Sequence, residues 1–309
     1  MHIQEYVENT TALPSKGVIS VIRLLKDKST VPFIARYRKE LTGNLDEVQI
    51  ASIRDAAKRF EEIVARKTSI ITSIEEHGRM NDLLRKQILD CFNPTQLEDI
   101  YLPYKQKRLT RGEKARKLGL ESLAKMIMSQ GGGNPEVMAE RFVKSDVYDV
   151  DIAIAGAQDI IAEWINENTG LRDRLRQTFE RKAILESKLV KGKREEASKY
   201  KDYFEFTQPL HRCPSHRFLA IYRANREGLL SIKARPEEEM VLDQVERFFV
   251  KGKYECAAIV QEACKDAYKR LLRPSLENEA LSNVKEKADK EAIKVFSKNL
   301  RQLLLAAPL

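Results

Sequence analysis

The sequence contains little glycine and proline, with 13 Gly and 10 Pro among 309 residues. The two types together make up about 12% of an average protein. A β-sandwich or barrel needs a turn with one of them roughly every 8–12 residues. The shortage therefore argues against an all-β protein and favours helices.

Other absences exclude whole classes of protein. No run of about 18 apolar residues is present that could cross a membrane, so we expect no membrane partner. The first residues lack the basic and apolar regions of a secretory signal. The four cysteines are too scattered for a disulfide framework. Together these features indicate a cytoplasmic protein with reduced thiols.

Charge is the first positive signal, because 55 Lys and Arg against 46 Asp and Glu give a net charge of +9. A basic chain suggests a polyanionic partner. The charge is concentrated in two segments, since residues 101–120 carry seven basic residues and one acid, and residues 172–201 carry eleven basic residues and five acids. The acids interspersed in the second segment are more typical of ordinary pairs on a helix surface.

The first basic segment is the better candidate for nucleic-acid contact. It begins with tyrosines on which bases could stack, and its cations could neutralise phosphates. The alternative interpretation is a solvated loop and helix face. The candidate nucleic-acid-binding residues are Tyr104, Lys105, Lys107, Arg108, Arg111, Lys114, Arg116 and Lys117.

The apolar spacing predicts helices along most of the chain. The strongest segment covers residues 44–77, either as one helix or with a break near Thr68, and Asn44 with Glu47 resembles a capping box. A second candidate capping box pairs Thr95 with Glu98. Only residues 203–206 and 229–233 suggest strands. We predict a mainly α fold: an elongated multi-helix array with a long helix, a small helix-turn-helix-like unit and at most a few short strands.

The predicted domain organisation has three parts. Residues 1–65 and 132–205 form an N-terminal helical region, and residues 66–131 form the helix-turn-helix-like unit with the basic cluster. Residues 206–309 form a helical region that leads to a domain missing from this chain. A Gly-rich linker at residues 131–135 supports the boundary after the second part.

Patterns for other chemistry are weak. His211, Cys213 and His216 offer three metal ligands, whereas a structural zinc site needs four, usually in paired short spacings. The chain has no Gly-rich phosphate loop and no acid–base or two-metal constellation. We therefore expect no metal, no cofactor and no enzymatic activity. Trp164, Phe60 and Tyr37 lie on apolar helical faces and are predicted to be core residues.

Several segments resemble one family. Residues 30–47 (TVPFIARYRKELTGNLDE), 97–105 (LEDIYLPYK) and 185–193 (LESKLVKGK) closely resemble the bacterial Tex family of transcription accessory proteins, and residues 214–217 with 226–228 also fit. These stretches are spread over nearly the whole chain.

The resemblance implies more than the composition does. Tex-like proteins are elongated and mainly helical, with an N-terminal helical region that includes a helix-turn-helix unit. An RNase H-like domain generally regarded as lacking nuclease activity follows, then helix-hairpin-helix elements and an S1 domain that is the chief nucleic-acid-binding module. They are similar in architecture to a eukaryotic elongation factor that binds RNA polymerase and histones. The apolar end of this chain resembles the stretch before the RNase H-like domain, so we expect an N-terminal fragment without the S1 domain.

Two functional hypotheses follow. The first is a non-enzymatic scaffold that gives auxiliary, weak and sequence-independent phosphate contacts to RNA or DNA. The alternative is a protein-interaction platform whose long helix docks RNA polymerase or ribosome components. A cryptic nuclease is a distant third hypothesis.

Overall fold

The computed structural model describes residues 1–105, 110–144, 146–252 and 254–305. Within these residues the fold is mainly helical, as predicted, with sixteen α-helices and one small sheet of three strands. The chain divides into two compact units, Met1–Gln106 (unit 1) and Lys107–Leu309 (unit 2). The three-part domain organisation stays a prediction. Among the described residues, no helix is both long enough and apolar enough to cross a membrane.

Unit 1 consists of helices arranged around two small cores. One core is built mainly from the first helices of the unit, and the other lies under the second half of the long helix. The helices are α1 Ile3–Thr11, α2 Ser15–Lys26, α3 Val31–Tyr37, α4 Lys39–Thr42, α5 Glu47–Glu76, α6 Asp82–Asp90 and α7 Pro94–Tyr101.

The long helix α5 runs without a break, but it does not begin where the sequence suggested. Asn44 has a φ of 64° and lies in the left-handed region, whereas a helix N-cap is extended. The cap is Asp46, whose carboxylate accepts from the Gln49 N–H over 2.8 Å. The Gln49 side chain in turn accepts from the Asp46 N–H over 3.0 Å, which completes a capping box. The predicted Asn44–Glu47 box was therefore wrong by two residues.

The second predicted capping box was also wrong. Asn93 caps α7, since its side-chain oxygen accepts from the N–H groups of Thr95 and Gln96. Pro94 occupies the first position of that helix, where a missing N–H is tolerated.

Unit 2 is larger and has its main core around one helix. This helix, α11, buries residues on several sides, among them Ala153, Ala157, Ile160 and Ile165. A π-helical segment at Ala267–Leu272 leads from α15 into α16. The helices are α8 Arg111–Lys117, α9 Glu121–Ser129, α10 Pro135–Glu140, α11 Val150–Glu167, α12 Thr169–Lys182, α13 Ser215–Arg226, α14 Glu238–Phe249, α15 Glu255–Asp266 and α16 Arg273–Leu304.

The sheet of unit 2 is antiparallel and has the order β2-β1-β3. Its strands are β1 Ile184–Leu189, β2 Glu205–Pro209 and β3 Leu230–Arg235. The sequence indicated β2 and β3 approximately, but the central strand β1 was not predicted.

Candidate nucleic-acid interface

The basic helix α8 begins at a threonine cap. The side-chain oxygen of Thr110 accepts a hydrogen bond from the Glu113 N–H over 3.1 Å. The same hydroxyl donates to Oε1 of Glu163 on α11 over 2.6 Å. One hydroxyl therefore caps α8 and attaches its N-terminal end to a neighbouring helix.

Glu163 holds α8 in position from the buried side. The residue is only 4% exposed, and its Oε2 accepts from Nη1 of Arg116 over 2.7 Å. Gly112 faces this carboxylate so closely that an added Cβ would lie 2.5 Å from Cδ of Glu163. A glycine at this point is therefore what allows the two helices to approach.

The charge of Arg116 is paired within the fold. Burial alone would lower the pKa of its guanidinium, but the hydrogen bond to Glu163 and the nearby carboxylates raise that pKa. A second, longer contact of 3.5 Å joins Arg116 to Glu113. The side chain is half-buried, and its phosphate contact stays a prediction.

Three other cations of α8 point outward. Arg111, Lys114 and Lys117 are exposed and lie three residues apart, so they share one side of the helix. Within the part of the chain that the structure describes, Lys114 and Lys117 form no ion pair, whereas the charge of Arg111 acts on Asp159 of α11 and opposes the rise that burial gives to the pKa of that carboxyl. We call these three residues the α8 strip.

The rest of the predicted cluster lies outside α8. Tyr104 and Lys105 belong to unit 1. The Tyr104 ring is half-buried against the core under α5, whereas Lys105 is exposed. Lys107 and Arg108 lie outside the described residues.

Four of the eleven cations of the second basic segment are engaged within unit 2. Arg172 is buried and donates to Ser275 over 3.1 Å, and Arg176 binds Glu279. Lys193 pairs with Glu196 at 2.8 Å, and Lys199 pairs with Glu227 at 3.1 Å. The other seven cations of this segment are exposed, so the preference for the first segment stays a prediction.

The possible metal ligands lie around the start of α13. Burial raises the pKa of the Cys213 thiol, which disfavours the thiolate that binds metal. His211 and His216 are exposed on either side of it. Among the described residues, no group of three or more His, Cys, Asp or Glu side chains is arranged to hold a metal ion.

Sequence reasoning missed Thr110 and Glu163, which position the α8 strip. A signal was present for Glu163, because it falls three residues after Ile160 on a helix whose inward positions are otherwise apolar. A carboxylate on such a face needs a buried partner. The partner itself could not be identified, because Arg116 is 47 residues away in sequence.

Two family models match the chain. A model described as Tex-like protein N-terminal domain matches residues 1–75, and one described as Tex central region-like matches residues 131–296. Helix α8 lies between the two matched ranges.

Named relatives agree with these matches. The chain is 36% identical over 317 residues to the transcriptional accessory protein Tex of Neisseria gonorrhoeae, covering 100% of this chain and 42% of the relative. It is 37% identical over 310 residues to the protein YhgF of Escherichia coli (94% of this chain, 39% of the relative). The human S1 RNA-binding domain-containing protein 1 is 29% identical over 308 residues (94% of this chain, 30% of the relative). The chain thus spans about two-fifths of the length of these bacterial relatives.

Proposed function

The chain belongs to the Tex family, and we propose that it acts as a nucleic-acid-binding scaffold within a Tex-like transcription accessory protein. In this proposal the α8 strip gives auxiliary phosphate contacts to RNA or DNA. Tyr104, Lys105, Lys107 and Arg108 add to them from the preceding segment. The name of the human relative, an S1 RNA-binding domain-containing protein, supports the choice of partner.

The observation that carries the proposal is the contrast within α8. Arg116 is occupied by the buried Glu163, whereas Lys114 and Lys117 of the α8 strip are exposed and form no ion pair within the described residues. A cation without a carboxylate partner can neutralise a phosphate and release its counterion. Contacts to phosphates carry no sequence information, so binding is expected to be weak and sequence-independent.

A salt titration tests this role. Binding of a labelled 20-bp duplex is measured by fluorescence anisotropy at several salt concentrations, for the wild type and for Lys114→Gln with Lys117→Gln. Each lost phosphate contact lowers the slope of log K against log salt by about 0.9. We expect a reduced affinity and a slope smaller by about 1 to 2.

A matched control uses two other exposed lysines on a helix, Lys294→Gln with Lys298→Gln on α16. This pair changes the net charge equally and is expected to keep most of the affinity and slope. If both double variants lose affinity equally, only the overall charge attracts the duplex. If neither does, the α8 strip is ordinary solvated surface.

We further propose that the chain is not an enzyme and that it works in the cytoplasm. The pKa of the Cys264 thiol is raised to about 12, chiefly by burial, which leaves this group without nucleophilic character at neutral pH. Metal-dependent cleavage of RNA by the purified chain would contradict the first statement.

The alternative proposal is a protein-interaction platform that docks RNA polymerase or ribosome components. Exposed apolar side chains on the distal half of α16, including Ile293, Val295 and Phe296, favour it. Pull-down of purified RNA polymerase or ribosomes that resists nuclease treatment would support this alternative. Loss of the interaction on nuclease treatment would support the nucleic-acid role.

A further inference from the structure

The segment that resembles the Tex family most strongly, residues 30–47, presents aromatic rings to solvent. Helix α3 buries Val31, Ile34 and Ala35, but Phe33 is 38% exposed and Tyr37 is 68% exposed. The prediction that Tyr37 belongs to the core was therefore wrong. Phe33 and Tyr37 are therefore an exposed aromatic pair on a helix whose other side is buried.

The two rings form one surface. Phe33 and Tyr37 are four residues apart on α3, with ring centroids 5.4 Å apart and planes inclined by 43°. The guanidinium of Arg38 lies 5.4 Å from the Phe33 centroid, within cation–π range. Phe33 is thus covered in part by neighbours, and Tyr37 offers the more accessible ring.

Cations lie close to this aromatic pair in the sequence. The last turn of α2, the turn after it and the segment 36–40 carry six basic residues, against two acids, Asp27 and Glu40. All six are exposed, and none of them forms an ion pair within the described ranges. They are Arg23, Lys26, Lys28, Arg36, Arg38 and Lys39.

We propose that this surface, the α3 face of Phe33, Arg36, Tyr37 and Arg38, binds single-stranded nucleic acid. A base stacks on the Tyr37 ring, and the cations on and beside the face contact the adjacent phosphates. Single-stranded ligands are selected because only unpaired bases can place their faces on a ring. In a single strand, negatively charged phosphates alternate with flat bases. An exposed ring with cations beside it can contact both parts of such a strand.

The α3 face and the α8 strip lie in different units and consist of different residues. The α3 face is proposed to recognise bases, whereas the α8 strip is proposed to contact phosphates. The inference extends the proposed function from phosphates to bases, but no residue is shared between the two sites. Each proposal can therefore fail while the other stands.

The test uses the full chain and two labelled probes of equal length and charge. One is a 12-nucleotide oligouridine, and the other is an abasic oligonucleotide of the same length. Stacking on one side chain contributes about 1–3 kcal/mol, so Tyr37→Ala is expected to weaken oligouridine binding about 5- to 160-fold. Tyr37→Phe keeps a ring and should restore most of the affinity. Binding of the abasic probe should not change in either variant.

Two controls make the result specific. Tyr148→Ala removes another tyrosine that is 78% exposed, in unit 2, and is expected to leave oligouridine binding unchanged. Arg36→Gln should lower the salt slope for oligouridine by about 0.7, the value for one phosphate contact on a single strand.

The inference is overturned if Tyr37→Ala binds oligouridine like the wild type, or if the abasic probe binds the wild type as tightly as oligouridine does. An unchanged Tyr37→Ala together with a weakened Lys114→Gln, Lys117→Gln variant would reject the α3 face and keep the α8 strip. The reverse pattern would keep the α3 face and reject the α8 strip.

Discussion

At the scale of single residues, the position of α8 depends on a carboxylate with almost no access to solvent. Glu163 accepts from both Thr110 and Arg116, and it faces Gly112 at close range. A buried carboxylate is costly unless its charge is paired and its oxygens accept hydrogen bonds. Here both oxygens do so, and the pairing sets how α8 lies on α11.

A glycine-to-alanine substitution tests this arrangement. In Gly112→Ala the new methyl group would lie 2.5 Å from Cδ of Glu163, so the helices must separate or the carboxylate must move. We expect the free energy of unfolding, measured in urea, to fall by about 1–3 kcal/mol. In the control Gly132→Ala, the nearest atom to the new Cβ is Tyr254 Cε1 at 4.0 Å, and the loss should be small. Equal effects would show that Gly112 is not needed for the approach.

A second buried charge lies in unit 1. Lys67 on α5 is 4% exposed, and its Nζ donates to the carbonyl oxygen of Leu89 over 2.6 Å. Nζ also lies 3.2 Å from the ring centroid of Phe92. Burial lowers the pKa of Lys67, although the nearby Cys91 and Asp90 oppose this effect.

The lowered pKa of Lys67 predicts a pH dependence of stability. Between its folded-state pKa and the ordinary value of 10.5, the unfolded chain holds a proton that the folded chain has lost. The free energy of unfolding therefore rises with pH in that window. In Lys67→Met this rise should disappear from urea titrations between pH 7 and 10. Lys58→Met, on the exposed side of the same helix, should retain it, and equal pH profiles for the two variants would contradict the assignment.

At the scale of elements, the start of α5 shows what local sequence can and cannot specify. The sequence from residue 43 to 49 contains two candidate caps, Asn44 and Asp46. Only the backbone conformation shows which of them is the cap. Gly43 and Asn44 both have positive φ values, of 70° and 64°. The turn thus ends with Asn44, and the helix can begin only after the extended Asp46.

The cap of α5 can be tested by substitution. Asp46→Ala removes the carboxylate that accepts from Gln49 and should lower the free energy of unfolding by about 1 kcal/mol. Asn44→Gly keeps the left-handed turn without strain and should cost little or be neutral. Thermal unfolding followed by circular dichroism compares the two variants. A larger loss in Asn44→Gly would reinstate Asn44 as the cap.

The missed strand β1 has a definite physical reason. A half-buried strand is recognised by alternating apolar and polar residues, but the inward positions of β1 are Leu185 and Ser187. Ser187 is buried because its hydroxyl donates to the Tyr203 carbonyl oxygen over 2.5 Å. Such a long-range hydrogen bond is invisible in the sequence. The helices were predicted better because their apolar spacing is local.

The same limit applies to the candidate site. The sequence identified the basic segment, but Arg116 could not be distinguished from Lys114 or Lys117 by residue type. Arg116 is less exposed than these two lysines because it pairs with Glu163 of α11. Likewise, the family signature at residues 30–47 was recognised, but the exposure of Tyr37 required the fold of α2, α3 and α5.

At the scale of the whole molecule, each hydrophobic cluster of the described residues draws its members from one unit. Two clusters lie in unit 1 and three in unit 2. A unit with its own core can in principle fold alone. The proposed polyanion contacts follow the same division, since the α3 face belongs to unit 1 and the α8 strip to unit 2.

Separate expression of residues 1–105 and 110–305 is therefore expected to give two folded proteins. Each should show helical circular dichroism and a cooperative urea transition. The transition of the second should have the steeper dependence on urea, because the larger unit exposes more surface on unfolding. If either fragment is unfolded by itself, its core is not sufficient for folding, and the two units are not independent folding units.

The folded fragments then separate the two kinds of binding. Residues 1–105 should prefer oligouridine to the abasic probe, because the α3 face offers a base the exposed ring of Tyr37. Residues 110–305 should bind both probes alike, with an affinity that falls steeply with salt. A base preference carried by residues 110–305 would place stacking elsewhere than on Tyr37.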